Sequence, residues 1–241
     1  MTASEAQRYA RLAGILLVVS LFAGSFGESY VPEKLLAATD VAETARRLTA
    51  HIGMFRLSFA SYLIEAACDL ALTAIFYVLL RPVSRPLSLI ALCFGLFSTT
   101  TFAVGEIFYF VAALPFTDAD IIKVLSPALR QTITYLSLTV FGYIFAIFTG
   151  FYGVAVMLRG YLILRSGYLP RTLGALVLLG GAGFLAKNIV SVLAPAHDSM
   201  AFVLPMLLAM LSMALWFLVK GINQPAWQHL ANTSPQKQAS L

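Results

Sequence analysis

Six long apolar runs, separated by short polar connections, organise this chain. They fall at approximately 10–30, 53–80, 87–113, 134–158, 170–193 and 200–219, each near or above the ~20 residues that carry an α-helix across a hydrocarbon core. The pattern predicts an all-α, polytopic transmembrane helix bundle of about six spans. The second run is long enough that its start is expected in the membrane interface, since ~28 residues at 1.5 Å each overshoot the core. Between the runs, Asp40 with Glu43 forms an N-cap pattern before residues 41–48, which predicts a short connecting helix. Thr117 to Asp120 offers caps for another, ending near Pro127. The expected organisation is a single transmembrane domain over 1–221 and a polar tail over 222–241, too poor in apolar residues to order itself.

Composition narrows the class. The chain is 60% hydrophobic and 11% charged, against about 25% charged in an ordinary soluble domain. Six spans use up nearly all of it, so any activity sits in the membrane or at its surface. The net charge of +5 comes from basic residues scattered singly between spans, a distribution that loop bias explains and that argues against a nucleic-acid partner. With both termini inside, Arg8, Arg11, Arg81, Arg85, Arg159, Arg165, Arg171, Lys220 and Lys237 share the cytoplasmic face. The other face receives Lys34, Arg46, Arg47, Lys123 and Arg130. This asymmetry predicts cytoplasmic termini and an inner (plasma) membrane location. Arg8 and Arg11 before the run Ala13 to Ala23, with Gly24 and Ser25 after it, also fit a cleaved signal peptide. Apolar character resuming to Tyr30 and the lack of an A-x-A site favour a retained helix. Cys68 and Cys93 lie inside apolar runs without a CxxC spacing, and His51, His197 and His229 lie at span ends or in the tail. Neither a metal nor another cofactor is therefore expected.

Ionisable residues inside the spans are the candidate chemistry. Each costs about 2.5–3.5 kcal/mol near a bilayer centre on insertion scales, so such groups usually face an interior site. Counted from the cytoplasmic end of each span at ~1.5 Å per residue, Asp69 lies roughly 17 Å deep, Glu65 about 23 Å, Glu28 about 24–27 Å, Lys187 about 25 Å and Glu106 about 29 Å. The expectation is one polar cavity open to the outside, lined by Glu65, Asp69, Lys187, Glu28 and Glu106. Arg56, nine residues before Glu65, points to the other side of its helix and is expected to guard the outer entrance. Glu65 and Asp69 share a helical face with Tyr62, Leu72 and Phe76, and two carboxylates one turn apart repel when both are ionised. They are the expected proton-titrating or ligand-contacting groups, with Lys187 as counter-charge. Lys187 rises from Gly180 and Gly183, where bare backbone admits a neighbouring helix.

Several functions fit these residues. The leading expectation is binding or transport of a small polar or amphipathic ligand through the cavity. A membrane-embedded lipid-modifying enzyme using Glu65 and Asp69 as acid and base is an alternative. It is weakened by the absence of HExxH, GxSxG and Walker motifs, and the enzyme question stays open. A non-catalytic partner subunit is another, with Gly142, Ala146 and Gly150 forming a small-residue face for helix–helix association. A buried ion pair that fixes helix register without chemistry is the bland alternative.

The segments Phe55-Arg56, Cys68-Asp69, Leu79-Leu80-Arg81-Pro82-Val83 and Gly142-Tyr143 carry a family resemblance. So do Arg165-Ser166-Gly167-Tyr168-Leu169-Pro170-Arg171 with Leu173-Gly174, Leu215-Trp216, and Val219-Lys220-Gly221. From about Ala10 to Gly221 the chain resembles the bacterial membrane proteins grouped as domain of unknown function family 4386. The resemblance implies an integral membrane protein of six or seven helices and assigns no activity. Arg56 and Asp69 match its pattern. It also implies that relatives often carry a histidine where this chain has Ala155 and an acidic residue near Lys187-Asn188. Histidine chemistry would then not carry over, and the Lys187 contact would be this chain's own.

Overall fold

Helix is the only regular secondary structure among the described residues, as a hydrocarbon environment requires of a chain that must satisfy its own backbone hydrogen bonds. The computed structural model describes residues 1–36, 41–197 and 199–238. The first helix, α1 (Ala3–Gly24), passes through a π-helical segment (Ser25–Tyr30) into α2 (Val31–Leu35). Together they form one apolar span of 33 residues, longer at both ends than the run from 10 to 30. Next come α3 (Val41–Ala50), α4 (Ile52–Leu80) and α5 (Arg85–Val111), the short α6 (Leu114–Thr117) and α7 (Ala119–Val124), then α8 (Pro127–Ser166), α9 (Arg171–Leu193), α10 (Leu204–Val219) and α11 (Gln224–Gln238).

Among the described residues, five helices are long and apolar enough to cross a membrane. The number becomes six if α10 and the start of α11, bent by 99°, are one broken span. The sixth expected span is thus the least regular, because Pro205 starts α10 late and leaves it 16 residues. In contrast, α8 runs 40 residues and extends well past both ends of the expected 134–158. Both expected connecting helices are present. Asp118 accepts from the backbone N–H groups of Asp120 and Ile121 and starts α7. In α3, Glu43 pairs with Arg46 and Arg47, each at 2.7 Å. The two guanidinium donors, Arg46 first, hold its carboxyl down at about 2. Asp40, the expected cap of that helix, lies outside the described residues.

The chain divides into two compact units. The first comprises Met1–Val19, Cys68–Thr99 and Ile147–Leu241; the second comprises Ser20–Ala67 and Thr100–Ala146. In the first unit, glycines set the helix spacing. A Cβ on Gly160 would fall 2.5 Å from the Leu178 nitrogen, and one on Gly181 would fall 2.6 Å from the Met157 nitrogen and 2.7 Å from the Gly153 carbonyl. Helices α8 and α9 therefore touch backbone to backbone. Gly180 makes room for Met206 and Gly183 for the Phe202 carbonyl, the close approach expected at those two positions.

One end of the first unit is tied by side chains. The Tyr168 hydroxyl and the Trp227 indole N–H both donate to the Leu79 carbonyl, at 2.7 and 3.0 Å, satisfying a terminal acceptor of α4. Burial pushes the Tyr168 phenol up, so it remains a donor. Gly167 and Gly221 both take φ of 71°, closing α8 and α10 in the left-handed conformation that glycine adopts without penalty. Gln7 completes the α10 end, accepting from Ile222 N–H and donating to the Lys220 carbonyl. The segment from 222 onward, expected to be disordered, is helical over Gln224–Gln238. Trp227, 1% exposed, anchors its first turns by burial that composition alone does not reveal.

A leucine at Gly181 would force α8 and α9 apart. We expect Gly181→Leu to lower stability by about 1–3 kcal/mol or more, read as a fall in the thermal unfolding midpoint in detergent. Gly142, whose Cβ would meet nothing within 4 Å, is the control: Gly142→Ala should be neutral or slightly stabilising.

Candidate functional site

Glu106 is the centre of the second unit's polar chemistry. It sits on α5 between Phe102 and Tyr109, which lie one turn away on either side of it. Its side chain is 3% exposed, and neither carboxyl oxygen has a hydrogen-bond partner among the described residues. A buried polar group left in that condition is costly, more so in a membrane than in water. Glu28 acts on it electrostatically, and Glu28 is carried by the π segment. Single π turns inside α-helices insert one residue and re-aim the side chains around them, frequently at functional sites.

Tyr62 joins the acids. Buried to 1% exposure on α4, it lies within electrostatic reach of Glu106, Glu28 and Glu65. Its ring meets Phe102 and Tyr109 edge-on, at centroid distances of 5.7 and 5.5 Å. Tyr109 stacks on Phe55 at 5.0 Å and leans on Phe141 at 5.2 Å. Its hydroxyl lies beside Ser58 without completing a hydrogen bond. Glu65 reaches the first helix: a Cβ on Gly24 would fall 2.5 Å from its Oε1, so bare backbone there makes room for the carboxyl group. Ser58 donates to the Gly27 carbonyl at 3.4 Å, and a Cβ on Gly27 would stand at ordinary contact distance from Tyr62.

Two cavities adjoin Leu114 in the same unit. A small one of about 100 Å³ is bounded by exposed Arg56 together with Asp118, Phe55 and Phe110. The other, about 450 Å³, is walled by Val111, Ile121, Val124 and Ile133.

Asp69 follows Glu65 by one turn of α4 but belongs to the first unit. It is 6% exposed, and Arg159 on α8, 5% exposed, is buried in the same unit. The two charges act on each other, and Arg159 also engages Tyr152. The Arg159 Nη2 donates to Thr73 Oγ1 at 2.8 Å, and the guanidinium lies over the Phe76 ring at 5.2 Å. Gly95 on α5 leaves room for it, since a Cβ there would stand 2.6 Å from Nη2. Arg159, expected just past the end of its span, therefore lies inside α8 and is buried. The helix continues seven residues past it to Ser166, roughly 10 Å, and the arginine faces the unit's interior with partners for its charge. Thr73, one turn beyond Asp69, is the legible signal of a polar face there. Nothing in local spacing connects that face to Arg159.

Of the sequence-derived site residues, the second unit thus brings together Glu28, Glu65 and Glu106 around Tyr62, with Arg56 beside Asp118. Asp69 and Lys187 belong to the first unit, where Lys187 is half-buried on α9, next to Asn188. Asn188 in turn meets the bare backbone of Gly150. Among the described residues, no group of three or more His, Cys, Asp or Glu is arranged to hold a metal ion. The acidic cluster can take up protons or receive a positively charged or hydrogen-bonding ligand.

Asp69 and Arg159 are both buried and act on each other, so removing one leaves the other's charge less compensated. Arg159→Met should therefore cost about 3–5 kcal/mol. The Asp69→Asn, Arg159→Met double variant should lose less than the sum of the singles, which a double-mutant cycle of unfolding free energies reads directly.

An archaeal protein of Archaeoglobus fulgidus, described as an uncharacterized protein, is 29% identical over 117 residues, 48% of this chain and 56% of that relative. The chain thus spans little more than half of that relative's length. No solved structure matches the chain. The family described as Domain of unknown function (DUF4386) matches residues 12–221, nearly the whole helical region, and the chain belongs to that family.

Proposed function

We propose that this protein binds, and carries across an inner (plasma) membrane, a small polar or amphipathic ligand in a proton-linked manner. The binding groups are the acidic cluster of Glu28, Glu65 and Glu106. One observation carries the reading: Glu106 is buried with both carboxyl oxygens unpartnered among the described residues. A group placed solely for stability would be paired. Arg56, exposed beside the small cavity, is the proposed guard of the outer entrance. In the first unit, Asp69 remains a proposed titrating group and Lys187 a proposed counter-charge. Both termini are placed in the cytoplasm by the basic-residue bias.

A second reading has its own support. Gly142 on α8 faces open space, and its neighbour Tyr143 is 70% exposed, so this stretch offers a surface to a helix of a partner subunit.

Native mass spectrometry of the protein released from its own membranes separates the two. The expected result is a small bound molecule in the wild type that is missing from a folded Glu106→Gln variant. A bare wild type that instead co-purifies with a stoichiometric partner, released by Gly142→Leu, would replace the carrier reading with the subunit reading.

A further inference from the structure

We infer that the ligand of this acidic cluster is a small organic cation, a protonated amine, held by Glu106 and Glu28 beside the rings of Tyr62 and Tyr109. The inference rests on the binding role proposed above for the same residues and adds the ligand's charge class.

Charge is the first argument. The groups facing Glu106 in the second unit are Glu28 from the π segment, Tyr62 from α4 and Tyr109 from its own helix, with Glu65 also within reach of Tyr62. Glu28 is the one charged side chain acting on Glu106 among the described residues. An anionic ligand would add to that negative charge in a low-dielectric setting, where repulsion is strongest. A cation relieves it.

The walls are the second argument. Tyr62 and Tyr109 are almost fully buried, and their rings stand nearly perpendicular, at 72° with centroids 5.5 Å apart. Aromatic faces attract ammonium groups, most strongly when both partners are desolvated. A metal ion fits less well, because the described residues include no cluster of three ligating side chains. An amine needs only one or two carboxylates, and its C–H groups are at home against the rings.

The exchange balances simply. An unpartnered carboxyl group this deeply buried is neutralised by a proton when the site is empty. Binding an ammonium ion transfers that proton to solvent, leaving a carboxylate–ammonium pair. One proton leaves for each cation that enters, so affinity weakens as pH falls, by up to ~tenfold per pH unit for a single competing proton.

Methylammonium chloride is the probe, titrated into the detergent-solubilised full chain at pH 6 and pH 8. Sodium chloride at equal ionic strength is the inorganic control, and sodium acetate against sodium chloride tests an anion. The readouts are the thermal unfolding midpoint and proton release to a pH indicator dye. Methylammonium should raise the midpoint more at pH 8 than at pH 6 and release about one proton per site. Glu106→Gln should lose both effects while eluting as a folded monodisperse species, and Glu106→Asp should keep them in weakened form.

An equal effect of sodium chloride would make this an inorganic cation site and overturn the amine assignment. A response to acetate, a methylammonium response that survives Glu106→Gln, or no response to any probe would overturn the inference as well. A Glu106-dependent ligand found by native mass spectrometry to be neutral or anionic would sink the inference alone and leave the proposed binding role standing. Absence of any Glu106-dependent ligand together with no methylammonium response would remove both.

Discussion

A guanidinium buried inside a membrane helix has to find its solvation within the protein, and the first unit is organised by that demand. Arg159 is always charged and cannot escape by losing its proton. Asp69 supplies the opposite charge, Thr73 and Tyr152 supply polar partners, and the Phe76 ring covers one face. The position of Gly95 follows from the same requirement, since any side chain there would occupy the guanidinium's place. The great length of α8 follows too: a helix that ended at the polar residue, as hydropathy suggests, would leave Arg159 at a surface.

The second unit meets the same constraint in the opposite way. Its buried carboxyl, Glu106, is surrounded by aromatic rings and another acid instead of by a base. Stable membrane folds satisfy buried charge internally or neutralise it. Pairing locks a group in place, whereas neutralisation by an exchangeable species leaves it responsive to what is in the surrounding solution. Asp69 has the charge of Arg159 acting on it, whereas the carboxyl oxygens of Glu106 have no hydrogen-bond partner among the described residues.

The helices were legible in the sequence because twenty apolar residues leave few alternatives in lipid, and five of the six runs appear as long helices. Counting residues along each helix puts the acids Glu28, Glu65 and Glu106 at similar expected depth, and all three lie within electrostatic reach of Tyr62. Three features were not legible. Arg159 was hidden because the positive-inside rule treats every arginine near a span end as a loop residue, and its partners lie 86 and 90 positions away in the chain. Helix α11 was hidden because its order comes from one tryptophan docking on Leu79, a tertiary contact that composition does not encode. The π segment was hidden because its six residues, Ser25–Tyr30, read as ordinary helix in hydropathy.

That last feature has the widest consequence for the site. One residue inserted into an α-helix turns everything beyond it by about 100° relative to what precedes it. Glu28 lies within the inserted turn, so its direction is set by the local π hydrogen bonding and not by the apolar stripe of α1. A regular α-helix through the same sequence would send Glu28 elsewhere and change the contacts that Gly24 and Gly27 make with Glu65 and Tyr62. Regular helix is the lower-energy default for such a run, and π turns persist where the surrounding packing holds them. Here the bare backbone of Gly24 makes room for the Glu65 carboxyl group and the Gly27 carbonyl accepts from Ser58 on α4, contacts that tie the π segment to the acidic cluster.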